Sequence, residues 1–486
     1  MHAKKRNVPF NKFQIILISF TVMFVFIMVF LPRIGNPFPA HIDEWHHINE
    51  ALALKNGNYI GGVFAYEIGF HAFLAGLSSL GDIVIIYQFL PAIWAALTSI
   101  VLFFLVYKIT NKNFSVSLIS IIFFGMLHSS KNLLGISFFT PLSFSIPFIF
   151  LYVYFLIWGL QQEKKSYIII SVIIMIFLIP IYSLSVLAMV PLIIILLGMY
   201  FKFVKKEYKF FLILLTIPLV GFLFYSIIND LSFSSVSNLV KELNFKKGWI
   251  EYTKDNSALE VYSLIGYFFA VIGFLRVIIK KERGFYPFLI WPICMLIWIL
   301  IFKLLGINFL SPYQRNFYFF AVSLPFISSL GVHSFFSKIK KLCSSRKYKK
   351  KTLIIILLLF SLLILFFAMK DVEYTLYSAE KFITPGDYND LSYLSLFPKG
   401  VVLANLNISE GVISISKQEP AATKNFYKKE NRVDIISFFE SSLCEDKNII
   451  VQKLNVKYII SPIEIPCNYT LISNTNNFIY KIEEIT

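Results

Sequence analysis

The chain has 486 residues, 57% of them apolar and only 15% charged, with a mean hydropathy of +0.70. A soluble core needs no such excess, and the apolar residues come in blocks of about 20, the length at which a helix crosses a bilayer. The formal net charge is +17, yet the basic residues sit between hydrophobic runs rather than on one face among aromatics, so nucleic acid is not an expected partner.

Composition therefore predicts an α-helical polytopic membrane protein. Spans are expected near 13–32, 83–107, 115–128, 137–160, 166–181, 183–201, 208–228, 259–279, 285–302, 315–336 and 352–369, about eleven transmembrane helices in all. The loops between them separate by charge. One alternating set holds Lys4, Lys5, Arg6, Lys12, Lys108, Lys112, Lys164, Lys165, Lys202, Lys205, Lys206, Lys209, Lys280, Lys281, Arg283 and the dense run from Lys338 to Lys351. The positive-inside rule makes this set cytoplasmic, which predicts a multi-pass protein of the cell membrane with its N-terminus inside and its C-terminal domain extracellular. The basic runs are topology signals first, and binding of membrane lipid headgroups is not needed to explain them.

The first run is followed by Pro32, Arg33 and Pro37 rather than by a small-residue cleavage site, so it is expected to stay as an anchor. The run from Ile68 to Leu80 is too short to span and carries Gly69 and Gly76. It reads as an exterior helix in the interface, since counting it as a span would invert everything downstream. Spans 166–181 and 183–201 are expected to hinge at Pro180. No internal repeat of the transporter kind is evident.

The exterior loop 33–82 opens with HIDEWHHINE, residues 41–50, which gathers three acids and three imidazoles. Read as a helix, it places Ile42, Trp45, Ile48 and Leu52 on one side and Asp43, His46, His47 and Glu50 on the other. This predicts an amphipathic helix on the membrane surface. Asp43 has two readings from position alone: an N-cap of that helix, or a reactive carboxylate. Glu44 lies off the polar face, where it holds the helix or assists a metal. His46, His47 and Glu50 stand at helical spacing that could share a divalent metal ion, but no H-E-x-x-H or H-x-H motif is present, and contacts to sugar hydroxyls or headgroups are the competing use. No cofactor is required by the sequence.

From Asp371 the composition becomes that of a small soluble domain, which divides the chain into 1–370 and 371–486. Strands are expected at 401–406, 412–416, 456–461 and 478–485, and a helix at 432–443, giving a compact exterior α/β module. Cys444 and Cys467 are the two cysteines on the oxidising side, where they either form a disulfide or remain unrelated small residues. Sequons stand at Asn407 and Asn468, and at Asn113 on the expected inside.

An exterior loop bearing the Asp43–Glu44 pair on a short helix, followed by YEIGFHAFLAGLSSLG at 66–81, resembles the GT-C superfamily of membrane glycosyltransferases. The second stretch is similar to the Tyr-Pro-Pro-Gly-Phe-His type segment of prokaryotic members, with Glu67 and Ile68 where prolines are common. YQRNFYFFAVSLPFISSLGV at 313–332 resembles the Arg-led penultimate span of that family. The loop after the third span, HSSKNLLG, lacks the acidic pair of metal-dependent oligosaccharyltransferases.

The resemblance implies inverting transfer of a sugar from a polyprenyl-phosphate carrier to a glycan, lipid or protein acceptor on the exterior face. It implies Asp43 as general base with Glu44 beside it, and Arg315 as the cation for the leaving phosphate, with Tyr313 close by in the chain. His46, His47, Glu50, Glu67 and His71 are then expected to line the substrate pocket. Arg315 could instead be an interfacial anchor. The rival class is a lipid-carrier flippase or solute transporter, but ionisable residues are nearly absent inside the spans and cluster at one face, which favours surface chemistry.

Overall fold

The computed structural model describes residues 10–59, 67–130, 132–214, 216, 260–308, 312–343, 349–378, 381–424 and 427–483. They form two compact units: Met1–Pro32, Pro91–Ser137 and Pro141–Ser378 make the first, and Arg33–Leu90, Phe138–Thr140 and Ala379–Thr486 the second. The segment Arg33–Leu90 thus folds in one unit with the C-terminal residues.

In chain order the helices are α1 (Lys12–Phe30), α2 (Ile42–Lys55), α3 (Ile68–Leu77), α4 (Leu90–Ile109), α5 (Phe114–Gly125), α6 (Pro141–Gln162), α7 (Lys165–Met199), α8 (Leu264–Ile279), α9 (Tyr286–Leu305), α10 (Tyr313–Cys343) and α11 (Lys349–Ser378). Seven of the described helical segments are long and apolar enough to cross a membrane, and α3, α5 and α8 are shorter apolar helices. The expected span 208–228 lies mostly outside the described residues.

Two boundaries differ from expectation, and the expected hinge near Pro180 is present. The span expected at 83 begins at Leu90, because Asp82 caps a separate turn, Ile83–Ile86, by accepting from the Val84 N–H at 2.9 Å. The expected spans 166–181 and 183–201 are the two helical parts of Lys165–Met199, which meet at Tyr182, whose φ of −162° and ψ of 88° are not helical. That break follows Pro180, which lacks an N–H and crowds the preceding turn. The division at 370/371 falls inside α11, which continues to Ser378.

The membrane unit is packed closely where side chains are smallest. A Cβ built on Gly273 of α8 would lie 2.0 Å from the Ile327 carbonyl oxygen, and one on Gly331 of α10 would lie 1.9 Å from that of Phe269. Only glycine allows these two backbones to meet, the usual way helices gain contact without a hydrophobic driving force between them. At one end of α8, Arg276 donates to His333 Nδ1 at 2.9 Å and to the Leu330 carbonyl at 3.3 Å, so its charge is held by acceptors within the unit.

The second unit adds α12 (Pro385–Leu394), β1 (Val401–Ala404), β2 (Glu419–Pro420), α13 (Arg432–Glu440), α14 (Cys444–Lys453), β3 (Val456–Ser461), β4 (Thr470–Ser473) and β5 (Phe478–Lys481). The five strands lie in the order β2-β1-β3-β5-β4. β1 runs parallel to both neighbours, and β5 runs antiparallel to β3 and β4. Leu403, Ile459, Tyr480, Ile435, Phe438 and Val451 fill the layer between sheet and helices. Cys444 and Cys467 are joined by a disulfide, with Cα atoms 5.6 Å apart.

The strand expected at 412–416 is instead a π-helical turn, Val412–Ser416. Its apparent alternation is broken by burial of Ser414, Ile415 and Ser416 together. The serines settle into a helical turn by donating backwards, Ser416 Oγ to the Val412 carbonyl at 2.6 Å and Ser414 Oγ to that of Gly411 at 3.3 Å. This turn packs on α2 and α12.

Candidate active site

The site is built on the N-terminus of α2. His41 is its N-cap: the imidazole Nδ1 accepts from the Asp43 N–H at 3.1 Å, and Glu44, at the third helical position, reaches back to the His41 N–H at 3.2 Å. Asp43 therefore does not cap the helix, and its carboxylate, 22% exposed, lies 3.8 Å from the His41 ring nitrogen.

Glu44 is fully buried and is the hub of the turn. It accepts from Arg33 Nη2 at 2.6 Å, from the Ala40 N–H at 2.7 Å and, across the unit, from the Phe139 N–H at 2.7 Å. Arg33 also donates to the Phe38 carbonyl at 3.3 Å and lies over the Phe138 ring. Trp45 Nε1 donates to the Pro39 carbonyl at 3.0 Å. These contacts set the angle at which the chain enters α2, and with it the position of Asp43.

α2 is not a one-sided surface helix. Ile42, Trp45 and Ile48 are buried as expected and Leu52 is half-buried, but Glu44, His47 and Asn49 are buried too, leaving Asp43, His46 and Glu50 half-buried. The reason is that α3 covers one side while the π-helical turn and the short helical turn Ser409–Gly411 cover another. On α3, Phe70, His71 and Leu74 face inward.

The imidazoles sort by surroundings. His47 Nδ1 lies 3.0 Å from His71 Nε2 and 3.8 Å from Glu67 Oε2, and Tyr59 Oη meets the other nitrogen of His71 at 3.0 Å. Burial pushes His71 down to about 3, and the mutual repulsion that charging both His71 and His46 would bring adds to the shift. Burial likewise lowers His46 to about 4, against the pull of the Asp43 carboxylate. Both rings are therefore neutral at physiological pH.

One carboxylate near Asp43 carries no motif in the sequence. Glu410, 1% exposed, accepts from the Lys424 N–H at 2.7 Å, while its own carbonyl accepts from Asn49 Nδ2 of α2 at 3.3 Å. Burial pushes its carboxyl up to about 7 from 4.5, the Lys424 N–H opposes this, and the charge of Asp43 adds to it. Between pH 4.5 and about 7 the folded chain keeps a proton that the unfolded chain has lost, so this group's contribution to stability declines as pH rises through that window. Glu410→Gln is expected to flatten that slope, as measured by unfolding midpoints of detergent-solubilised protein across the same range.

Arg315 and Tyr313 stand at the start of α10 in the membrane unit. The Tyr313 ring is buried, stacked on Phe302 at 4.3 Å and edge-on to Phe317 at 5.0 Å, whereas Arg315 is half-buried. The structure thus brings His47, Glu67 and His71 together, places Asp43, His46 and Glu50 on the same helix as His47, and leaves Arg315 and Tyr313 in the other unit. The membrane unit also holds a hydrogen-bonded pair that sequence reasoning missed: His128 Nε2 and Asp371 Oδ1 are 2.5 Å apart, their side chains 11% and 7% exposed. Nothing in a sequence flags partners 243 positions apart.

No protein-family model and no curated protein matches the chain. Among solved structures it is similar to the archaeal oligosaccharyltransferase of Archaeoglobus fulgidus in several states. With an acceptor peptide containing an NVT sequon tethered to that protein, the TM-score is 0.59 at 13% identity over 97% of this chain and 74% of that one. In the apo form the values are 0.60 and 12% over 93% and 70%. In complex with an inhibitory peptide and a dolichol-phosphate they are 0.57 and 14% over 97% and 74%. The chain therefore has the fold of the archaeal oligosaccharyltransferase.

Proposed function

We propose that this protein is a membrane glycosyltransferase that moves a sugar from a polyprenyl-phosphate carrier to an acceptor on the exterior face of the membrane, with inversion. The observation that carries the reading is Asp43: a partly exposed carboxylate at the start of a helix that it does not cap, held in place by a buried ion pair, in a chain with this fold. The acceptor peptide and the dolichol-phosphate bound by the archaeal neighbour support a lipid-linked donor and a peptide or glycan acceptor.

In the proposed step Asp43 takes the proton from the acceptor as the acceptor's lone pair forms a bond to the anomeric carbon. The anomeric C–O bond to the carrier breaks, and its electron pair leaves with the phosphate. That leaving group is already an anion, so a fixed cation matters more than a general acid, and Arg315 is the proposed partner for it. His46, Glu50 and Glu410 are proposed to line the sugar and acceptor side.

The test is transfer of labelled sugar from a polyprenyl-phosphate donor by the purified protein in detergent or liposomes. Carrier translocation across liposomes without any transfer would instead support a flippase. The orientation is tested separately. A cysteine at Asn58 is expected to react with an impermeant reagent added outside intact cells, and one at Lys205 is not. Both positions are exposed in the structure. Labelling of the Lys205 position from outside would move Asp43 to the cytoplasmic face.

A further inference from the structure

We propose that His47, Glu67 and His71 form a site for one divalent transition-metal ion of the zinc class, which clamps α2 to α3. The ligating atoms of these three residues all lie within 4.8 Å of one another, the one such group among the described residues. His46 and Glu50, the partners expected for His47 from helical spacing, are not in it. The ion would sit between His47 Nδ1, His71 Nε2 and Glu67 Oε2.

The separations fit. Ligands about 2.0–2.2 Å from a tetrahedral zinc ion stand roughly 3.3–3.5 Å from one another, and His47 Nδ1 lies 3.0 Å from His71 Nε2 and 3.8 Å from Glu67 Oε2. Adjustments of a few tenths of an ångström would seat the ion. Two imidazoles and one carboxylate are the donors that zinc and its neighbours take, whereas magnesium and calcium prefer oxygen throughout. Three protein ligands leave a fourth position for water or another oxygen.

The surroundings point the same way. Glu67 and His71 are four residues apart at the head of α3, so they project along one face towards α2. α3 is otherwise apolar, IGFHAFLAGL, and yet its His71 is fully buried, as is the facing His47 at 2% exposure. Tyr59 Oη, 3.0 Å from His71 Nδ1, can accept that nitrogen's proton and so keep the Nε2 lone pair turned towards His47. Such an outer partner commonly orients a ligating histidine. Asp43 lies one helical turn before His47, so fixing α2 against α3 also fixes the reactive end of α2.

The bland alternative is a hydrogen-bonded pair of neutral imidazoles with a carboxylate beside it. Full-length protein in detergent, stripped with a chelator, separates the two. Calorimetric titration with Zn(II) should give one equivalent, Co(II) should give the visible absorption of a four-coordinate N/O site, and zinc should raise the unfolding temperature. His71→Gln and Glu67→Gln should weaken binding at least about 100-fold, and Tyr59→Phe, which removes only the orienting partner, about 10- to 100-fold. Glu50→Gln should bind as the parent does. Absence of saturable zinc binding by the parent protein would overturn the proposal, whatever the folding of the variants. So would unchanged binding by the His47→Gln/His71→Gln double variant, or displacement of zinc by millimolar magnesium.

Discussion

Asp43→Asn is expected to lower sugar transfer by at least about two orders of magnitude while leaving carrier binding and folding in place. The substitution keeps the size of the side chain and most of its hydrogen bonding, but an amide cannot take the acceptor's proton. Folding should survive because the helix terminus is held by other groups. The cap is the His41 imidazole, and what it accepts from is the backbone N–H of residue 43, which the substitution leaves untouched. The comparison is Glu50→Gln on the same helix, half-buried like Asp43 but two turns further on, which should keep more activity. Turnover is measured at saturating polyprenyl-phosphate donor with unfolding followed in parallel. Parental turnover by a well-folded Asp43→Asn protein would remove Asp43 as the base.

Apolar block length made the helices legible, because the cost of burying unpaired backbone groups in lipid leaves a helix as nearly the sole way for such a block to cross. Block ends were less so. Leu90 begins α4 because Asp82 captures the preceding residues in their own turn, a competition that hydropathy does not register. The alternation in VISIS suggested a strand, but serines that can bond to their own backbone are equally at home in a helical turn, and the packing of α2 and α12 decided between them.

The site was legible in part for a similar reason. The 3.6-residue period placed Ile42, Trp45 and Ile48 on a buried face, since that face follows from local geometry alone. Periodicity has no means of seeing what covers the other faces, so burial of His47 by α3 and of Asn49 by the C-terminal residues was missed. Glu410 was invisible because its role depends on a fold that brings residues 361 positions apart into contact. The Asp43–Glu44 pair drew attention as two acids, but its members divide by environment, one partly exposed and one sealed.

That division leads to the second large effect. Glu44→Ala and Arg33→Ala are each expected to destabilise the protein by about 3–5 kcal/mol, the usual consequence of leaving one charge of a buried pair without its counterpart. Glu44 has no exposure and Arg33 has 3%, so neither charge can be recovered by water without opening the turn. Glu44 should be the costlier loss, because the Ala40, His41 and Phe139 N–H groups also lose their acceptor. Replacing both together should cost less than the sum of the two, since removing both charges removes the penalty of the orphan. Thermal unfolding of the single and double variants in detergent gives the coupling directly. Simple additivity would show that the two side chains act independently. In that case the buried pair would not be what holds the head of α2, and the placement of Asp43 would have to rest on the His41 cap and the packing of Trp45.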